Sequence, residues 1–145
     1  MLVREILRVK GGALYTTTPG QKLPAVIDAM AELDVGSLVV MDEGRMVGIV
    51  TFREVIKAMQ AGNPDLQVSD FMVADPVTAF PDMEANSLRR LMIEKHSRYL
   101  PVLEQGQLLG VISFLDVAKA VLEEQTLENT LLKNYIKNWP EEARS

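Results

Sequence analysis

The sequence predicts an α/β fold: one β-α-β-β-α unit said twice, the two units packed sheet to sheet, with an added helix at the C-terminal end. Three observations carry this. A short apolar run closed by a hydroxyl and then an acid occurs at Val47-Gly48-Ile49-Val50-Thr51-Phe52-Arg53-Glu54-Val55 and recurs at Leu109-Gly110-Val111-Ile112-Ser113-Phe114-Leu115-Asp116-Val117. Around that phrase the halves match at one constant offset: Thr16 with Thr78, Pro19 with Pro81, Met30 with Met92, Leu38 with Leu100, Val40 with Val102, and Gly44 with Gly106. Within each half, strand-length apolar runs alternate with apolar residues at helical spacing. Two long copies are too few for a stacked solenoid. Two units that each leave an apolar sheet face uncovered pack against one another instead, and neither is large enough to stand alone.

In the first copy, Val3 to Leu7 matches Val68 to Met72 at a longer offset, because three extra residues lie around Val9 to Ala13. Leu14 to Thr17 reads as a short strand ended by Pro19-Gly20. Leu23, Val26, Ile27, Met30 and Leu33 then line one face of a helix, with Pro24 in its first turn, where a missing N–H costs little. Ser37 to Met41 and Met46 to Val50 form a hairpin across Asp42-Glu43-Gly44-Arg45. Phe52 to Ala61 forms the second helix, stopped by Gly62-Asn63-Pro64.

The second copy repeats the order. Val77 to Phe80 is the short strand, and Leu88, Leu91, Met92 and Lys95 share a helix face. Arg98 to Leu103 pairs with Leu108 to Ile112 across Glu104-Gln105-Gly106-Gln107. The last helix opens after Ser113 and continues past the repeat as a tail, Glu123 to Trp139, with Leu127, Leu131, Leu132, Tyr135, Ile136 and Trp139 on an apolar side and Pro140 beyond it. This tail either folds back on its own domain or docks on a second subunit, since such a face must cover something.

Composition bounds the function. The chain has 145 residues, 48% hydrophobic and 6% aromatic, enough for a real core but poor in stacking platforms. A net charge of −5 without a basic run argues against nucleic-acid binding, which rests on neutralising phosphates. The absence of cysteine excludes disulfides, thiolate metal sites and cysteine nucleophiles. No apolar run reaches the roughly 18–20 residues of a membrane span, and Met1-Leu2-Val3-Arg4-Glu5 does not read as a signal peptide. A cytoplasmic protein is expected.

Thr51 with Glu54, and Ser113 with Asp116, have the spacing of helix N-caps, and the same geometry suits a phosphate or a ribose. Capping is the commoner use. His96, the single histidine, does not complete a catalytic triad with Ser113 and Asp116, because the acid lies on the serine's own helix start. One histidine without cysteine or clustered carboxylates makes no metal site. The eight methionines read as core filler. Arg89-Arg90 reads as a solvated helix face, and Gly48 and Gly110 as sites of tight sheet packing.

Taken together, Gly-Ile-Val-Thr-x-x-Glu, Gly-Val-Ile-Ser-x-x-Asp, Asp34-Val35-Gly36-Ser37-Leu38-Val39-Val40 and His96-Ser97-Arg98-Tyr99-Leu100-Pro101-Val102 resemble a tandem pair of cystathionine-β-synthase (CBS) domains, a Bateman module, of the stand-alone bacterial type. The resemblance covers residues 3 to 122. It divides the chain into a first domain at 1–62, a linker at 63–67, a second domain at 68–122 and a helical tail at 123–145. It implies a pseudo-twofold pair with two crosswise clefts for adenine nucleotides. The first cleft would use Thr17, Thr18, Leu23, Val35 and Gly36 with Ile112, Ser113 and Asp116, the two threonines meeting the adenine edge and Leu23 and Ile112 sandwiching the ring. The second would use Thr51 and Glu54 with Phe80, Ala85, Arg98 and Tyr99, Arg98 pairing with phosphate.

Glu54 departs from the family's usual aspartate, and its extra methylene displaces the carboxylate from a bidentate ribose contact, so the Ser113/Asp116 cleft is the stronger site. The implied function is non-enzymatic: a sensor of AMP, ATP, NAD or a related adenosyl ligand, working by domain or dimer rearrangement, with a homodimer as its assembly and a separate effector protein as its target. No catalytic cofactor is implied. The alternative is a ligand-free dimerisation and protein-interaction module.

Overall fold

The computed structural model describes residues 1–138, so the expectations for Trp139, Pro140 and residues 141–145 lie outside the described residues. In chain order the elements are α1 (Val3–Lys10), β1 (Thr16–Thr17), α2 (Leu23–Leu33), β2 (Ser37–Asp42), β3 (Arg45–Thr51), α3 (Phe52–Ala61), α4 (Val68–Phe71), β4 (Val73–Ala74), α5 (Ala85–Lys95), β5 (Tyr99–Glu104), β6 (Gln107–Ser113) and α6 (Phe114–Lys137). The fold is α/β with paired β-α-β-β-α repeats, as the sequence predicts.

The two hairpins are near copies. β2 and β3 pair antiparallel with a register shift between Val40 and Met41, and β5 and β6 do so with the equivalent shift between Val102 and Leu103. Glu43-Gly44 and Gln105-Gly106 turn them, all four residues at positive φ, the backbone that matches the twist of a two-residue hairpin. Asp34 and His96 end α2 and α5 in the left-handed conformation, and the C-cap role is the place His96 takes in this fold.

The repeats diverge at their first strands. β1 runs parallel to β2, with the Val39 N–H donating to the Tyr15 carbonyl at 3.1 Å. The position equivalent to Val39 is Pro101, which has no N–H to donate. The expected strand at Val77 to Phe80 is therefore reduced to a single parallel bridge, Ala79 with Val102. The first sheet also has a fourth strand that the sequence reading lacked: β4 pairs antiparallel with β3, giving the order β1-β2-β3-β4.

Each half also takes its leading segment from the other. The Val3 N–H donates to the Met83 carbonyl at 2.9 Å, and its counterpart Val68 donates to Gln21 at 2.8 Å. Ala85 donates to Met1 at 2.8 Å, and its counterpart Leu23 to Leu66 at 3.0 Å. Val3 and Ile6 of α1 are buried among Leu88, Met92, Leu100, Ile112, Val117 and Val121 of the second half. Val68 of α4 is buried among Leu23, Val26, Met30, Leu38, Val50 and Val55 of the first. Full burial of a valine side chain is worth about 1.5–3 kcal/mol, so this exchange is a substantial part of what joins the halves.

The tail is the continuation of α6, not a separate helix, and it does not fold back: Leu127, Leu131, Leu132, Tyr135 and Ile136 are all more than half exposed. No helix of the described residues is long and apolar enough to cross a membrane.

Candidate functional site

The two hydroxyl-acid pairs cap α3 and α6, but they close differently. At α6 the Ser113 hydroxyl accepts from the Asp116 N–H at 3.1 Å, and Asp116 Oδ2 accepts from the Ser113 N–H at 2.9 Å. The serine hydroxyl is left with a proton to donate. At α3 the longer Glu54 side chain reaches further back. Its Oε1 accepts from both the Thr51 N–H, at 2.9 Å, and the Thr51 hydroxyl, at 2.8 Å. Glu54 is buried, and the Thr51 hydroxyl in turn accepts from the Arg53 N–H at 3.2 Å. The Thr51/Glu54 pair is thus satisfied within its own turn.

Asp116 has a further partner. Lys10, the last residue of α1, donates from Nζ to Asp116 Oδ2 at 2.7 Å and to the Val111 carbonyl at 2.9 Å. Burial pushes the Asp116 carboxyl up, but hydrogen bonds from Lys10 and Ser113, with the Lys10 charge, outweigh it and hold the group below its ordinary value.

Beside this pair lies a cleft of about 740 Å³ between the halves. Val35 and Gly36 line it from the first half and Ser113 from the second, with Tyr15, Phe114 and Lys10 completing much of its wall. Of the residues expected in the first cleft, Val35, Gly36 and Ser113 are brought together, with Asp116 joined to them through Ser113 and Lys10. Thr17 and Thr18 do not line this space. Leu23 packs in the first core and Ile112 in the second, and neither lines this space.

The residues expected in the second cleft are divided between different surroundings. Arg98 and Tyr99 line the same cleft as Ser113, because Arg98 precedes and Tyr99 begins β5 at the seam beside Gly36. Ala85 is 1% exposed inside the second core. Phe80 is exposed, and a smaller cavity of about 290 Å³, lined by Arg4, Leu7, Arg8 and Leu109 among others, includes neither Thr51 nor Glu54. Arg89 also differs from a plain solvated residue, since its Nε is buried without a hydrogen-bond partner.

Tyr15, Phe114 and Lys10 are the functional candidates missed in the sequence. Lys10 had a visible signal: it falls in the three-residue excess of the first copy, which lengthens α1 where the second copy turns into β4. Among the described residues no group of three or more histidine or carboxylate side chains could hold a metal.

Two α/β repeats with a cleft between them, one helix start at its wall, define a class of duplicated regulatory domains. The family profile of the CBS domain matches residues 3–61 and 68–123, and the chain belongs to that family. Such domains are typically regulatory and non-catalytic. The chain is similar to the CBS-domain containing protein ATU1752 from Agrobacterium tumefaciens, at 30% identity and a TM-score of 0.79, covering 83% of this chain and 98% of that one. It shares its fold with the CBS domain pair of protein MJ0100, crystallised with 5′-methylthioadenosine and S-adenosyl-L-methionine, at 19% identity and a TM-score of 0.77 over 86% of this chain and 98% of that one. CBSX2 in complex with AMP aligns at 22% identity and a TM-score of 0.71 over 86% and 98%.

Proposed function

We propose that the protein is a regulatory module that binds an adenosyl ligand in the Ser113/Asp116 cleft and passes the binding on as a rearrangement of its halves or of a homodimer. The observation that carries this is the cleft itself: about 740 Å³ walled by both repeats, with Gly36 on one side and the Ser113 cap on the other. Aromatic rings of Tyr15, Tyr99 and Phe114 stand at it. MJ0100 and CBSX2 bind adenosyl compounds, which supports the same ligand class here. A ligand that touches both walls favours one arrangement of the halves over others, which is all a sensor requires. AMP, ATP and NAD are the leading candidates. The output passes to a second copy and to a separate effector protein in the cytoplasm.

Calorimetry with AMP, ADP, ATP, NAD and S-adenosylmethionine tests this. Saturable heat with at least one of them, abolished by Asp116→Ala, is expected; silence from all five at millimolar concentration overturns it. A second reading, a ligand-free interaction module, is favoured by the exposed Leu127, Leu131, Leu132, Tyr135 and Ile136 on α6 and by the self-satisfied Thr51/Glu54 cap. Under that reading Asp116→Ala leaves every binding activity intact.

A further inference from the structure

The end of α1 adds a charge to the cleft that neither the repeat nor the Ser113 cap requires. Lys10 Nζ carries three N–H donors. One is taken by Asp116 Oδ2 at 2.7 Å and one by the Val111 carbonyl at 2.9 Å, so the ammonium is fixed at two points at the cleft wall with a third donor to offer. Arg98 lines the same cleft, and among the described residues its guanidinium has no ion pair or hydrogen bond. Both cations stand on the second-half side, Lys10 because α1 packs into that half's core. Asp34, the carboxylate lining the cleft, stands on the first-half side.

We propose that Lys10 makes this cleft selective for a nucleoside carrying a phosphate, over neutral nucleosides and over sulfonium nucleosides. The inference rests on the adenosyl reading of the cleft and goes further, to ligand class. A ribose hydroxyl that donates to Asp116 competes with the ammonium for the same carboxylate. A neutral nucleoside offers Lys10 no anion in exchange. S-adenosylmethionine brings two cations with its one carboxylate, leaving a net positive charge at a wall that already holds two cations. A phosphate supplies Lys10 and Arg98 with an anion in the same step in which the ribose takes over Asp116, so the charges stay paired throughout. Fork-like donors on a guanidinium and a point-like ammonium are the two side chains suited to that role.

The test is calorimetry on the full chain with AMP, 5′-methylthioadenosine and S-adenosylmethionine, for wild type and for Lys10→Met and Arg98→Met, each checked by its melting curve. Wild type is expected to bind AMP at least about tenfold more tightly than either unphosphorylated ligand, the factor for losing one charge-assisted hydrogen bond being about tenfold to hundredfold. Lys10→Met is expected to erase most of that gap by weakening AMP while leaving 5′-methylthioadenosine unchanged or tighter. Equal affinities in wild type, or a gap that survives in Lys10→Met whatever Arg98→Met does, overturn the phosphate selectivity of Lys10 and leave the adenosyl site standing. Failure of all three ligands with all three proteins overturns the site itself, and the selectivity with it.

Discussion

The ring of Tyr99 lies across the bare backbone of Gly36. A Cβ added to Gly36 would meet the Tyr99 hydroxyl and lie 2.7 Å from Cζ of the ring, with the Phe52 ring at 3.0 Å. One half's glycine is the seat of the other half's tyrosine, at the mouth of the cleft. Gly36→Ala is therefore expected to destabilise the protein by about 1–3 kcal/mol, the cost of forcing a packed side chain aside. Tyr99→Ala in the same chain is expected to recover most of the loss relative to Tyr99→Ala alone. Denaturant titration of the four proteins checks this; additive losses would show that the two residues do not meet.

The Lys10–Asp116 pair gives a pH dependence. The folded Asp116 carboxyl lies below its ordinary value, so as pH falls the unfolded chain takes up that proton first. The pair's contribution is present above the ordinary carboxylate value of about 4 and is lost as pH drops through the lower folded value. Asp116→Asn is expected to be less stable than wild type near neutrality, with the gap closing below about pH 4. Melting curves from pH 7 to pH 2.5, at roughly half-unit steps, read this directly; a gap that widens on acidification contradicts it.

Glu54 is expected to act on stability and not on ligand affinity. Glu54→Ala leaves the Thr51 N–H and hydroxyl without their carboxylate acceptor, a loss of about 0.5–2 kcal/mol for a helix cap. The adenosyl affinity of the Ser113 cleft should stay within about twofold of wild type, well under 1.4 kcal/mol. A large affinity loss would mean that the Thr51 end of the molecule also holds ligand.

Pro101 is the reason the second sheet lacks its short outer strand, and restoring an N–H there should restore the bond. In Pro101→Val the new amide is expected to donate to the Val77 carbonyl, as Val39 does to Tyr15. Hydrogen exchange should find that amide protected. The melting temperature should move little, because a hydrogen bond gained, about 0.5–1.5 kcal/mol, is offset by the freer unfolded chain that loses a proline. Exchange at the rate of an open loop would exclude the shared cause.

A homodimer is expected from the helix faces left bare. Phe52, Ile56 and Met59 of α3 are each more than half exposed and recur at the spacing of one helix side. Ile56→Asp should shift sedimentation toward the monomer without changing the circular dichroism spectrum. An unchanged dimer would move the contact elsewhere, α6 being the next face to test.

Much of this architecture was legible because it is duplicated. Thr51 and Ser113, Gly44 and Gly106, and Met30 and Met92 each confirm the other's place, and strand and helix periods agree around them. The site was harder to read. Leu23 and Ile112 were expected at a ligand's faces, yet an apolar residue next to a cap is equally a core residue, and periodicity does not distinguish the two. Ala85, buried in the second core, meets the same ambiguity. Lys10 was missed because its role depends on where a helix from one end of the chain ends against a strand far along the other, and no local pattern encodes that meeting. Its single trace was the break in the repeat.

The trading of leading helices has a consequence for how the molecule comes apart. With α1 plugged into the later repeat and α4 into the earlier one, loosening either repeat pulls a stopper from its neighbour. Heating should therefore produce one melting event, and a gene cut cleanly between the repeats would yield two fragments, each carrying the other's missing piece.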